Sequence, residues 1–233
     1  MPRRCLILLT VSCLILVIAQ ALAAGQQEGQ RGQRGATRAT RPPIFFREVW
    51  KQTAAGGEHP VDGVQVLSNP SLELKLYGPT AKEILMSGSA TDELNPVHVW
   101  TGMCTTPCAF TLRDRTNFAD LTGLARIKML TKTSGFHKVN PIVKLADGTM
   151  LIGDRFEGSP VDWLESEIAV SEMRWRRLDP ERVVTVGDWV NSPNLSKIDE
   201  IGFADLMPSS GHGQGGWADV GWIEIYAKPV KRE

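Results

Sequence analysis

A period of two that recurs in short runs constrains this chain more than any other feature. In "SLELKLYG", Leu72, Leu74 and Leu76 share one face and Glu73, Lys75 and Tyr77 the other. That is the alternation of a half-buried strand. "LARIKML" sets Ala125, Ile127 and Met129 against Arg126 and Lys128. In "DWLESEIAVSEMRWRRLD", Leu164, Ser166, Ile168 and Val170 alternate with Glu165, Glu167 and Ala169. A short helix over residues 171–178 is the alternative for its second half. "RVVTV" is a strand by its β-branched content. "SKIDEIGFADL" places Ile201 and Phe203 on one face, and "DVGWIEIYAKP" opposes Ile223 and Ile225 to Trp222, Glu224 and Tyr226, with Pro229 as its end. "PIVKLADGTMLIGD" is a hairpin, because Asp147-Gly148 readily takes the positive φ angles of a tight turn. Such runs recur roughly every 10–15 residues with Gly, Pro, Asn and Asp between them, and no long helical period interrupts them. The expected fold is all-β, an antiparallel jelly-roll β-sandwich.

Three segments are expected. Residues 1–23 form a signal peptide: Arg3 and Arg4 precede an apolar run from Leu6 to Ala19, and Ala21-Leu22-Ala23 is a small-x-small cleavage site. The run is too short for a membrane span, so none is expected in the mature protein. Residues 24–43, rich in Gly, Gln, Arg and Thr, cannot bury a core and form a disordered linker. Residues 44–233 form one domain. The location that follows is secreted or periplasmic.

Charge excludes one class of partner. The chain holds 26 basic and 26 acidic residues; removing six arginines and Glu28 of the first 43 residues leaves 20 against 25. A mildly acidic body does not favour nucleic acid. Cleavage also removes Cys5 and Cys13, leaving Cys104 and Cys108 in "CTTPC". In an exported chain two nearby cysteines most simply form a disulfide. A redox or metal pair is the alternative, but the spacing is C-x3-C and no second ligand pair exists.

The final third carries a resemblance. "LSKIDEIGF", a loop and then "WIEIY" resemble the ending of galactose-binding-like jelly rolls, a group that includes many carbohydrate-binding modules and the complex I intermediate-associated family. "FADLTGLARIKMLTKTSGF", Phe118 to Phe136, is similar to their D-L-(S/T)-G entry into a core strand. "LKLADGT" and "DLMP" are similar to segments of a group of secreted bacterial proteins. The resemblance spans residues 110–228. It implies a sandwich that binds sugars at loops or on one face, often with a structural calcium. No binding residue transfers by motif, and fold alone does not give function.

Candidate chemistry is therefore sought residue by residue. Sugars stack their C–H faces on aromatic rings while polar groups fix orientation. Of seven tryptophans, Trp100 and Trp222 lie in strand runs and suit a core. Trp163, Trp189 and Trp217 sit beside turns, as packing caps or as stacking platforms. Asp154, His212 and Gln214 are the accompanying hydrogen-bonding candidates, and the partner is an extracellular carbohydrate. Glu165 and Glu167 are weak catalytic candidates: they share a strand face about 7 Å apart, a gap compatible with glycoside hydrolysis or lysis and equally with a solvated face. Calcium needs several oxygens, for which Asp114, Asp120, Asp219 and Glu224 are weak candidates. A structural or protein-binding module of the cell envelope is a third reading.

Several motifs are excluded. His59, His98, His137 and His212 follow no zinc pattern. No G-x-S-x-G occurs, and Ser210-Gly211-His212-Gly213 does not place a nucleophile and base for catalysis. "GHGQGGW" lacks the P-loop lysine and precedes a strand, so no helix N-terminus awaits a phosphate. It is expected to be a long loop between two late strands, with His212, Gln214 and Trp217 either open to solvent or folded down as a cap.

Overall fold

The computed structural model describes residues 40–53, 57–158, 162–212 and 215–232. The expected signal peptide, most of the linker and Gln214 lie outside the described residues.

The alternating runs form strands as expected, and further strands that no such run announced join them in the sheets. In chain order they are β1 (Ile44–Glu48), β2 (His59–Pro60), β3 (Leu72–Tyr77), β4 (Leu85–Ser87), β5 (His98–Trp100), β6 (Cys108–Asp114), β7 (Asn117–Asp120), β8 (Arg126–Thr133), β9 (Asn140–Leu145), β10 (Met150–Gly153), β11 (Leu164–Ala169), β12 (Trp175–Asp179), β13 (Val184–Val190), β14 (Ile198–Asp205), β15 (Ala218–Tyr226) and β16 (Lys228–Lys231). They build two antiparallel sheets. One runs β11-β8-β15-β5-β4-β2, with β1 also on β15. The other runs β13-β12-β10-β9-β14-β6-β3, with β7 on β14 and β16 on β7. The fold is a jelly-roll β-sandwich.

The core lies between the inner faces. Leu72, Phe110, Leu112, Val143, Leu151, Trp175, Ile201 and Phe203 of the second sheet meet Phe46, Val99, Ile127, Met129, Ile168, Val220, Ile223 and Ile225 of the first. The hydrophobic effect fixes this register, because a slip by one residue would turn each apolar set outward. One departure from strict alternation matters. A bulge at Gly221 shifts register between Val220 and Trp222, so Val220 faces the core and Trp222 the outer face. Disulfide Cys104–Cys108 forms across a Cα separation of 6.3 Å.

Three local expectations differ from the structure. The stretch 171–178 contains a 3₁₀ turn at Val170–Glu172 and then β12, not an α-helix. Pro229 does not end the chain's regular structure but lies within β16. It is tolerated there because, among the described residues, β16 pairs with β7 alone, leaving one edge on which no N–H is required. The last linker residues also pack on the domain: Arg41 pairs with Glu167 at 2.8 Å and covers the Tyr226 ring at 3.5 Å.

Candidate functional site

Cross-strand pairing on the outer face of the second sheet lays down one continuous row. Thr111 opposes Gly202, Gly202 opposes Ile142, Ile142 opposes Ile152, Ile152 opposes Arg176, and Arg176 opposes Trp189. The apolar middle of this face is already occupied. Ala109, Ile142, Met150, Ile152, Leu178, Val183 and Ala204 make a second buried cluster. Val183 belongs to the β12–β13 turn, which folds back until its side chain reaches Gly78: a Cβ on Gly78 would lie 3.0 Å from it. A buried ion network completes this half. Glu200 accepts from Tyr77 (2.6 Å), Thr111 (2.5 Å) and Lys144 (3.1 Å). Burial and the Glu200 carboxylate push the Tyr77 hydroxyl up to about 12.

A shallow groove of about 330 Å³ stays open at the β9-β10-β12-β13 end. Ile152 and Gly153 form its floor, and Trp189 and Phe156 are its aromatic walls. Both rings are solvent-exposed, Trp189 by 42% and Phe156 by 43%. Polar groups converge between them: Asn140, Asp154, Arg176, Thr185 and Lys138. Burial pushes the Asp154 carboxyl up, but Arg174 donates to it from its backbone N–H (2.8 Å) and its Nε (2.9 Å). These bonds and the nearby arginines hold it below the usual carboxylate value, so it is ionised at neutral pH. Arg174 and Arg176 lie 4.3 and 5.5 Å from the centre of the Trp189 ring.

The anticipated ligand residues therefore separate. Trp189 and Asp154 line the groove. Trp163, Trp217 and His212 lie at the other sheet. The His212 ring stacks on Trp100 at 4.6 Å, its Nε2 meets Glu58 at 2.9 Å, and Trp217 meets its edge at 6.3 Å. Trp100 is thereby 2% exposed although its strand partner Asp219 faces outward. Trp163 donates to the Leu94 carbonyl at 3.1 Å and sets its ring against His98 at 5.2 Å. The loop's Gly216, at φ +91°, passes so close to Ser134 that a Cβ would sit 2.4 Å from its carbonyl oxygen. Only glycine lets the loop fold down in this way.

Beneath that cap lies a perturbed acid. Burial pushes the Asp219 carboxyl up to about 7, against the opposing pull of Lys132 and a hydrogen bond from Trp217. Its Oδ1 is buried without a hydrogen-bond partner and lies 3.7 Å from His98 Nε2. His98 Nδ1 donates to the Pro96 carbonyl at 2.7 Å, which leaves Nε2 a bare acceptor. Burial also lowers the His98 pKa.

The remaining candidates do not assemble into a cleft. Glu165 pairs with Lys128, and Glu167 with Arg126 (3.4 Å) and Arg41, all on the sheet's outer face. Asp114 accepts from the backbone and side chains of Thr116 and Asn117. Asp120 caps Thr122, and Glu224 accepts from Tyr226 and pairs with Arg47 at 3.5 Å. Among the described residues no three His, Cys, Asp or Glu side chains are placed to hold one metal ion. No helix among them is long and apolar enough to cross a membrane.

No protein-family model matches the chain. No curated protein matches it. Among solved structures it is similar to carbohydrate-binding modules. The family 11 module of the cellulosomal cellulase Lic26A-Cel5E of Clostridium thermocellum aligns with a TM-score of 0.41 and 14% identity, over 84% of this chain and 99% of that chain. A family 11 module from the same organism, in complex with a β-1,3-1,4-mixed-linked tetrasaccharide, aligns at 0.42 and 16%, over 77% and 100%. An exo-β-agarase aligns at 0.35 and 11%, over 71% of this chain and 24% of that chain.

Phe156, Lys138, Asn140, Arg176 and Thr185 were not anticipated from the sequence. For Arg176 a signal existed: in "RWRRLD" the strand period sends Trp175 inward and Arg176 outward. For Phe156 and Lys138 none did, because both lie in connections whose path only the fold sets.

Proposed function

We propose that this domain binds carbohydrate, without catalysis, in the groove between Trp189 and Phe156. The observation that carries the reading is the pair of exposed rings facing one shallow, polar-lined groove. Two exposed rings lining one groove form the kind of apolar patch rimmed by polar groups that marks a binding site, and a pyranose offers apolar C–H faces for the rings and hydroxyls for the side chains between them. Asp154 accepts from hydroxyls; Asn140 and Thr185 do both. Among the described residues Asp154 is the one carboxylate lining the groove, so the pair of acids that glycoside hydrolysis uses is not assembled there. The disulfide and the N-terminal export pattern support action outside the cytoplasm.

The test is affinity electrophoresis through gels containing plant and algal polysaccharides, with reducing-end release measured in parallel. Retardation by at least one polymer, a roughly tenfold loss in Trp189→Ala and no reducing ends are expected. Undiminished retardation of Trp189→Ala refutes the groove, and released reducing ends refute the non-catalytic reading.

A further inference from the structure

We infer that the groove selects an acidic glycan, bearing carboxylate or sulfate groups, over a neutral one; the inference rests on the groove being the carbohydrate site. Each aromatic wall carries its own cation. Lys138 Nζ lies 4.0 Å from the centre of the Phe156 ring, and Arg176 lies 5.5 Å from that of Trp189. Among the described residues neither cation meets a carboxylate. Arg176 donates to the Gly187 carbonyl at 2.6 Å, and among the described residues its buried Nε has no partner. The single lining acid, Asp154, is held by Arg174 through both its oxygens. Asp188 and Glu157, the acids next in sequence to the two rings, do not line the groove. Two uncompensated cations thus face one groove in a domain whose acidic residues outnumber its basic ones, 25 to 20.

The arrangement suits an acidic sugar at each end. A ring takes the C–H face while the adjacent cation takes the anionic substituent, by the terminal N–H groups of Arg176 not used by Gly187 and by a point charge at Lys138. A neutral sugar would stack on the same rings and leave both cations without a partner.

Binding of the exported chain to polygalacturonate, a sulfated galactan, a neutral galactan and a mixed-linkage glucan, at low salt and about 0.3 M NaCl, tests this. An acidic polymer is expected to bind about tenfold more tightly than the neutral ones, with the difference shrinking in salt. Lys138→Gln and Arg176→Gln are each expected to lower the ratio of acidic to neutral affinity several-fold, with the melting temperature of each variant measured to confirm that it is folded. The polygalacturonate and sulfated-galactan arms separate carboxylate from sulfate. Equal affinity for a neutral polymer, or indifference to both charge substitutions, overturns the acidic selectivity while leaving the groove intact if Trp189→Ala still weakens binding about tenfold. A single-stranded oligonucleotide held as tightly as the acidic polymer also overturns it, since charge alone would then suffice. Binding unaffected by Trp189→Ala and Phe156→Ala refutes the groove itself.

Discussion

Asp219→Asn should stabilise the protein above neutral pH and flatten its pH dependence. The Asp219 carboxyl moves from 3.8 in the unfolded chain to about 7 in the fold, chiefly by burial. The folded state therefore holds this proton more tightly. The favourable contribution is fully present below about pH 3.8 and is lost as pH rises through 7. The whole displacement is worth about 4 kcal/mol, of which about 2.5 kcal/mol falls between pH 5 and pH 8. His98 acts with the opposite sign, because its lowered pKa makes protonation in the unfolded chain cost stability below its ordinary value of 6.5. The difference between wild type and variant isolates Asp219. An asparagine keeps an acceptor for Trp217 and can turn N–H instead of the unpartnered Oδ1 toward His98 Nε2. Urea unfolding followed by tryptophan fluorescence from pH 4 to 9 is the assay. The variant should match wild type near pH 4 and exceed it by about 2–4 kcal/mol at pH 8. Parallel curves, or a variant less stable at pH 8, would refute the reasoning.

Two stability predictions accompany this one. The fully buried Glu48 accepts from the backbone N–H groups of Trp50, Ser68 and Asn69 and from the Ser68 hydroxyl; Glu48→Ala strands those donors and should cost about 3 kcal/mol in urea unfolding, whereas a loss below about 0.5 kcal/mol would show that water replaces the carboxylate. Reducing Cys104–Cys108, which closes a short loop, should cost only about 2 kcal/mol on loop-closure grounds, read as a modest drop in melting temperature; outright unfolding on reduction would refute the entropic account.

Alternation determined the class of fold, the longer strands β3, β8, β11, β14 and β15, and the inward face of β3, β8, β14 and most of β15; the short strands β1, β2, β4 and β7 left no such signal. This is because burial of every second residue is a local rule that each run obeys by itself. The nearest-neighbour pairing of Cys104 and Cys108 was legible for a similar reason. Tertiary structure decided the rest. It spread the turn tryptophans over two sheets: Trp189 went to the groove with Asp154, while Trp163, Trp217 and His212 closed over the other sheet. The decisive contacts, His212 on Trp100 and the β12–β13 turn on Gly78, join residues about a hundred positions apart, and no local period encodes them. The glycine-rich loop shows the division well. Its composition announced a turn before a strand, but only the close pass of Gly216 over Ser134 made it a lid. The cations of the groove were likewise visible as residues, and became a site only when β12–β13 pairing set Arg176 beside Trp189 and the Val139–Glu157 bridge brought Lys138 beside Phe156.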